Sequence, residues 1–210
     1  MQKSSLSGPL TPKPRWLSRL GSALIIGGAS LLGLYSWMQH SANQAQREAR
    51  QSLDRMITSR AHGPHAPDSA LRRPSHGDVI GELTVPQLHL SVMVFEGDDD
   101  AILKLGAGHI PATTLPQDGG NVGIAAHRDT YFRPLRQIRP NDVIVFKTPH
   151  EALRYTVATT EIVQPSNIEV LSKGPGRDLT LVTCYPFYYV GSAPKRFIVH
   201  ARKIEQQRRG

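Results

Sequence analysis

Cys184 is the only thiol in the 210-residue chain. It ends the run Asp178-Leu179-Thr180-Leu181-Val182-Thr183-Cys184, whose residue types favour a β-strand. A thiol becomes a strong nucleophile as thiolate, and a nearby imidazolium favours that form. Two other residues have the type and placement to complete such chemistry. His127 closes the apolar run Asn121 to His127, at a strand end where an imidazole can reach a substrate. Arg196 opens the run Arg196 to Lys203, twelve residues after the cysteine. If the last two runs pair as an antiparallel hairpin, Cys184 and Arg196 face each other at its loop end. After thiolate attack on an amide carbon, a positioned histidine can protonate the leaving amine. A guanidinium can hold the tetrahedral oxygen with fixed donors. An acyl-thioester remains, to be resolved by an amine or by water. Each residue also has an ordinary reading: Cys184 as core packing, His127 as a turn cap, Arg196 as a partner of Asp178 or Asp129.

The elements that would position these groups are short strands. Val79 to Val85, Leu88 to Phe95, Asn121 to His127, Asp142 to Thr148, Leu153 to Val163, Asp178 to Cys184 and Arg196 to Lys203 are rich in Val, Ile, Thr, Tyr and Phe. Gly, Pro and Asn punctuate them. Seven such runs with few helices predict an all-β barrel or sandwich. Ala101 to Leu105 reads as one or two helical turns, with Asp98, Asp99 and Asp100 at their start to satisfy free N–H groups. The sharper reading of this acidic triplet, a calcium site, lacks neighbouring Glu or Asn oxygens.

Upstream, Leu20 to Met38 carries no charged side chain over nineteen residues. As a helix at about 1.5 Å per residue it approaches the ~30 Å hydrocarbon core of a bilayer. Trp16, Tyr35 and Trp37 suit the headgroup zones, and Ser41-Ala42-Asn43 is a poor cleavage site, so an uncleaved anchor is expected rather than a signal peptide. Lys3, Lys13, Arg15 and Arg19 place the N-terminus in the cytoplasm and the remainder outside, at the cell membrane with a single pass. The expected organisation is a basic N-terminus at 1–19, an anchor at 20–38, a stalk and linker at 39–77, a catalytic domain at 78–204 and a basic tail at 205–210. Ser41 to Ser59 reads as a polar helix or stalk. His62, His65 and His76 read as solvated linker residues among Pro64, Pro67 and Pro74.

The formal net charge is +8, but its clusters sit at the two chain ends without interleaved aromatics, which argues against nucleic acid as a partner. A single cysteine excludes an intrachain disulfide and a multi-cysteine zinc site. No cofactor and no metal are expected.

The local strings resemble the sortases. Thr180-Leu181-Val182-Thr183-Cys184 matches that family's Thr-Leu-x-Thr-Cys motif at every fixed position, and Arg196 follows as the family's active-site arginine does. Ala126-His127-Arg128-Asp129-Thr130 resembles the family's histidine segment, and Tyr185-Pro186 resembles the class D branch. The resemblance covers roughly Ile80 to Lys203. It implies an eight-stranded β-barrel with short helices and a cysteine transpeptidase using Cys184, His127 and Arg196, with Thr183 as a substrate contact. It further implies cleavage of a Leu-Pro-x-Thr-type C-terminal sorting signal on surface proteins. Transfer would be to an amine acceptor, a peptidoglycan precursor or a pilin lysine. The loop Gln164 to Arg177 would help shape the groove, without a calcium requirement. Three alternatives stand beside this. An L,D-transpeptidase would show Ser-His-Gly-Cys where this chain has Leu-Val-Thr-Cys. A hydrolase on the same fold would use water as acceptor. A non-enzymatic surface-binding module would not need an intact Cys, His and Arg set.

Overall fold

A computed structural model of the chain describes residues 15–62, 73–172, 177–189 and 191–204. The chain divides into two units, Met1–Ser41 and Ala42–Gly210. Helix α1 runs from Arg15 to His62. In the first unit its apolar side chains stand free: Leu24, Ile25, Leu31 and Leu32 are each at least 68% exposed. Among the described residues no helix is long and apolar enough to cross a membrane. The side chains of Ser22 and Met38, within the expected span, lie outside the described set, as do residues 1–14, the linker residues 63–72 and the basic tail 205–210.

The second unit is built on eight strands: β1 (Val79–Val85), β2 (Leu90–Glu96), β3 (Ala107–His109), β4 (Gly120–Ala125), β5 (Val143–Lys147), β6 (Ala152–Val163), β7 (Arg177–Tyr185) and β8 (Lys195–Lys203). They close into a barrel in the order β1-β2-β3-β4-β7-β8-β6-β5. Closure leaves no open sheet edge. The alternating runs foreseen from residue type supply its interior. Leu83 and Val85, Ile144 and Phe146, Leu153 and Tyr155, Leu179 and Leu181, and Val199 and Ala201 all face one core. The period of two along each strand explains why their neighbours face outward. Fully burying a leucine or phenylalanine here contributes roughly 1.5–3 kcal/mol each.

Two elements differ from the sequence expectation. The first is β3, a three-residue strand parallel to β2 and antiparallel to β4. Ala-Gly-His carries no β-branched or aromatic residue, so propensity gives no signal. Its glycine is required by packing: a Cβ on Gly108 would lie 2.2 Å from the Gly97 carbonyl oxygen. The imidazole beside it, His109, is buried, its Nδ1 2.8 Å from Glu96 Oε2 and its Nε2 donating to Thr114 O at 3.0 Å. The second is the stretch Ser41 to Ser59, read as a polar helix or stalk: it is helical, and it packs against the barrel. Residues 42–62 of α1 dock on the barrel exterior, and Ala49 and Leu53 pack with Met93, Phe95 and Ile102 in a second core. The Gln46 amide accepts from Met93 N at 2.9 Å and donates to Leu105 O at 2.5 Å. Arg50 pairs with Glu82 and Asp54 with Lys147. Ala49 and Leu53 are four residues apart, so they share one face of an otherwise polar helix. Ala49, Leu53 and Ile57 on that face were too weak a stripe to mark the contact in sequence.

Helix α2 (Asp100–Leu105) begins as the residue types foretold: the Asp99 side chain accepts from Ala101 N and Ile102 N. His76, read as solvated, is exposed and also donates to the same carboxylate. That contact holds the Asp99 carboxyl below its ordinary value, helped by the two backbone N–H groups.

Candidate active site

Strand β7 carries the cysteine, and its two neighbours carry the other groups. The antiparallel register of β7 and β8 sets Cys184 directly opposite Arg196. Strand β4 runs parallel to β7 on the other side, with Ala125 beside Val182. Ala126 N continues the ladder by donating to Val182 O at 3.2 Å. His127 lies two residues beyond Ala125, the last residue of β4, so it follows the strand that flanks β7 on the side away from Arg196. The sequence could not supply this neighbour relation, because β4 and β7 are far apart in the chain and pair only through the barrel.

Strand alternation decides what each residue can do. Leu179, Leu181 and Thr183 point to the barrel interior, while Thr180, Val182 and Cys184 occupy the other face. Cys184 is half-buried and free of disulfide. Thr183, expected as a substrate contact, is 2% exposed, and its hydroxyl donates to Ala126 O at 2.7 Å. Its side chain therefore holds the residue preceding His127.

Arg196 is half-buried, and its Nη1 donates to Ala193 O at 3.3 Å and Lys195 O at 3.1 Å. Neither Asp178 nor Asp129 pairs with it among the described residues; the register sets Asp178 opposite Arg202 instead. The guanidinium is thus tied to the loop that joins β7 to β8, with its remaining donors uncommitted among the described residues.

Further residues fix the walls, and sequence reading passed over them. Arg128, next to His127, donates to Tyr189 O at 2.7 Å and Gly191 O at 3.0 Å, with its guanidinium 5.9 Å from the Tyr189 ring centre. Arg136 lies 5.5 Å from the ring centre of Tyr188 and donates to its hydroxyl. The histidine segment and the β7–β8 loop are thereby latched together. Tyr131 donates to Leu105 O at 2.9 Å, and partial burial raises its phenol above the ordinary value. Phe132 N closes the turn by donating to His127 O at 3.0 Å. A string of Arg and Tyr near a histidine is a weak sequence signal, since which pairs meet depends on two loops converging. Among the described residues no cluster of His, Cys, Asp and Glu could hold a metal ion.

The fold is a closed eight-stranded barrel with a half-buried cysteine on β7, an arginine opposite it on β8 and a histidine two residues past the end of β4. Residues 83–204 match the family model described as Sortase domain, and the chain belongs to the sortase family. Members of this family are transpeptidases. The chain is 27% identical over 179 residues to Sortase D of Bacillus subtilis, covering 85% of this chain and 90% of that one. It is 30% identical over 210 residues to Sortase SrtE1 of Streptomyces coelicolor, covering 90% of this chain and 58% of that one. The structure of a Clostridium perfringens Sortase D5 transpeptidase superposes with a TM-score of 0.65 at 22% identity, over 78% of this chain and 98% of that one. Together these make the chain a sortase most like class D.

Proposed function

We propose that the chain is a cysteine transpeptidase in which Cys184 attacks the Thr–Gly or Thr–Ala bond of a Leu-Pro-x-Thr-type sorting signal on surface proteins. The observation that carries this reading is the register: β7 lies between β4 and β8, Cys184 has Arg196 opposite it, and His127 comes two residues after the last pair of β4 with β7. The thiolate adds to the carbonyl carbon and the C–N bond breaks. His127 gives its proton to the departing amine, and the acyl group stays on Sγ. An incoming amine then loses a proton to His127 and displaces the thiol. Arg196 faces the reacting carbonyl from β8, and its guanidinium stabilises the oxyanion. Thr183 acts as a positioning residue through Ala126, rather than as a contact. The acceptor is an amine on a peptidoglycan precursor or a pilin lysine.

We place the protein at the cell membrane with its N-terminus cytoplasmic. The support is the uncharged stretch Leu20 to Met38, helical and with exposed apolar side chains, preceded by basic residues. The nucleophile is tested by incubating the chain with a sorting-signal peptide and weighing the intact protein. An acyl adduct is expected on the native chain and none on Cys184→Ala, which should keep the native circular dichroism. Substantial peptide cleavage by Cys184→Ala would sink the reading. A product assay with and without added amine separates transfer from hydrolysis.

A further inference from the structure

The loop between β7 and β8 leaves the sheet just after Cys184 and returns just before Arg196. Its first arm is packed: the Phe187 ring meets Phe197 edge-on, 5.4 Å between centres, and rests against the barrel core. The second arm has no such support. Tyr189, Gly191 and Ser192 are exposed, and the stretch from Gly191 to Pro194 forms neither helix nor strand. Two guanidiniums hold it instead. Arg128 Nη2 donates to the Tyr189 and Gly191 carbonyls at 2.7 and 3.0 Å, and its guanidinium lies 5.9 Å from the Tyr189 ring centre. Arg196 Nη1 donates to the Ala193 and Lys195 carbonyls at 3.3 and 3.1 Å. Four alternate carbonyls are thus held by one side chain from the turn after His127 and one from the start of β8. Hydrogen bonds from a charged donor are roughly twice as strong as neutral ones. The backbone that carries Arg128 is itself fixed, because Thr183 Oγ1 donates to Ala126 O and Phe132 N donates to His127 O.

We infer that Arg128 is a positioning residue that sets the path of the β7–β8 loop and, through that loop, the orientation of the Arg196 guanidinium. The inference rests on the proposed role of Arg196 at the oxyanion. The reasoning turns on what anchors each arginine. The Arg196 backbone is fixed by its register with Cys184, but its side chain is tied only to carbonyls of the loop, at distances near the long end for a hydrogen bond. If the loop shifts, the guanidinium shifts with it. Arg128 reaches the same loop from outside the β7–β8 hairpin, at 2.7 Å, from a turn whose backbone is bonded to β7. It is therefore the contact that refers the loop to the rest of the barrel. Lysine at this position would keep the charge but not the planar guanidinium, which serves two carbonyls and stacks on Tyr189.

The test is a double-mutant cycle on the full-length chain in detergent micelles, with one sorting-signal peptide. Arg128→Ala is expected to lower kcat on the order of 10²-fold with KM little changed, since a group displaced by about 1 Å costs that much. In an Arg196→Lys background the same change should cost less than about threefold, because the group it positions is already altered. Arg128→Lys carries the same cycle should the alanine variant fail to fold. An equal loss in both backgrounds would mean that Arg128 acts independently of Arg196, and would overturn the inference, as would native kcat in Arg128→Ala. Both results leave the proposed function standing as long as the native chain forms its acyl adduct on Cys184. If the native chain forms no adduct, that function fails, and the loop itself decides the inference. The heteronuclear 15N NOEs of the Gly191, Ser192 and Ala193 amides should be those of an ordered backbone in the native chain and fall in Arg128→Ala, with the strand amides unchanged. Loop values that do not change between the two chains would overturn it.

Discussion

Thr183→Val isolates the positioning of His127 from the chemistry at Cys184. Valine has nearly the shape of threonine, so no cavity is opened, but the hydroxyl that donates to Ala126 O at 2.7 Å is lost. Both partners are 4% exposed or less, so water does not readily replace that donor. The carbonyl is left without Thr183, a cost of about 1–3 kcal/mol. For a domain of this size that corresponds to a melting point lower by roughly 2–4 °C per kcal/mol. The catalytic effect is expected to exceed the stability effect. Ala126 directly precedes His127, and a displacement near 1 Å in a reacting group can cost about 10²-fold in rate. The assay is steady-state kinetics on a sorting-signal peptide beside thermal unfolding, for Thr183→Val and Thr183→Ser. Serine retains the hydroxyl and should restore most of kcat, although it gives up a buried methyl. A Thr183→Val enzyme that is destabilised as stated but keeps native kcat and kcat/KM would refute the positioning role.

Arg196→Lys keeps the charge but loses the planar fork. If the guanidinium acts on the oxyanion, kcat and kcat/KM should fall together, by about 10²–10³. A rise in KM alone would reassign it to ground-state binding. Leu53→Ala should lower the free energy of unfolding by about 2–4 kcal/mol in urea titration, because Leu53 is fully buried against the barrel. A change within about 0.5 kcal/mol would mean that residues 42–62 are not docked in solution. Asp99 has a carboxyl held below its ordinary 3.8, chiefly by His76, so its contribution is complete above that value and is lost as pH falls through the lower, folded one. Asp99→Asn retains the helix cap, so the acid-side loss of stability should flatten while neutral-pH stability changes little. Urea midpoints between pH 2 and 6 check this, and an unchanged slope would remove Asp99 from the acid response.

Much of the barrel was legible because its strands alternate strongly. Ile144 and Phe146, or Leu179 and Leu181, announce an inward face from residue type alone. The nucleophile and its facing arginine were legible too, since a hairpin is a local structure and its register follows from its two ends. The sequence by itself thus determined seven of the eight strands, the Cys184–Arg196 pairing and the family. Only the tertiary structure decided the rest. The parallel pairing of β4 with β7 joins segments nearly sixty residues apart in the chain and sets Ala125, two residues before His127, beside Val182. The same closure turned Thr183 inward to Ala126, gathered Asn121, Thr180, His200 and Glu161 over one cavity, and gave the polar second half of α1 a surface to cover. The physical reason is common to all of these. Local pattern fixes which way a side chain faces along its own strand, whereas its neighbours across the sheet depend on which distant strand arrives, and in which direction.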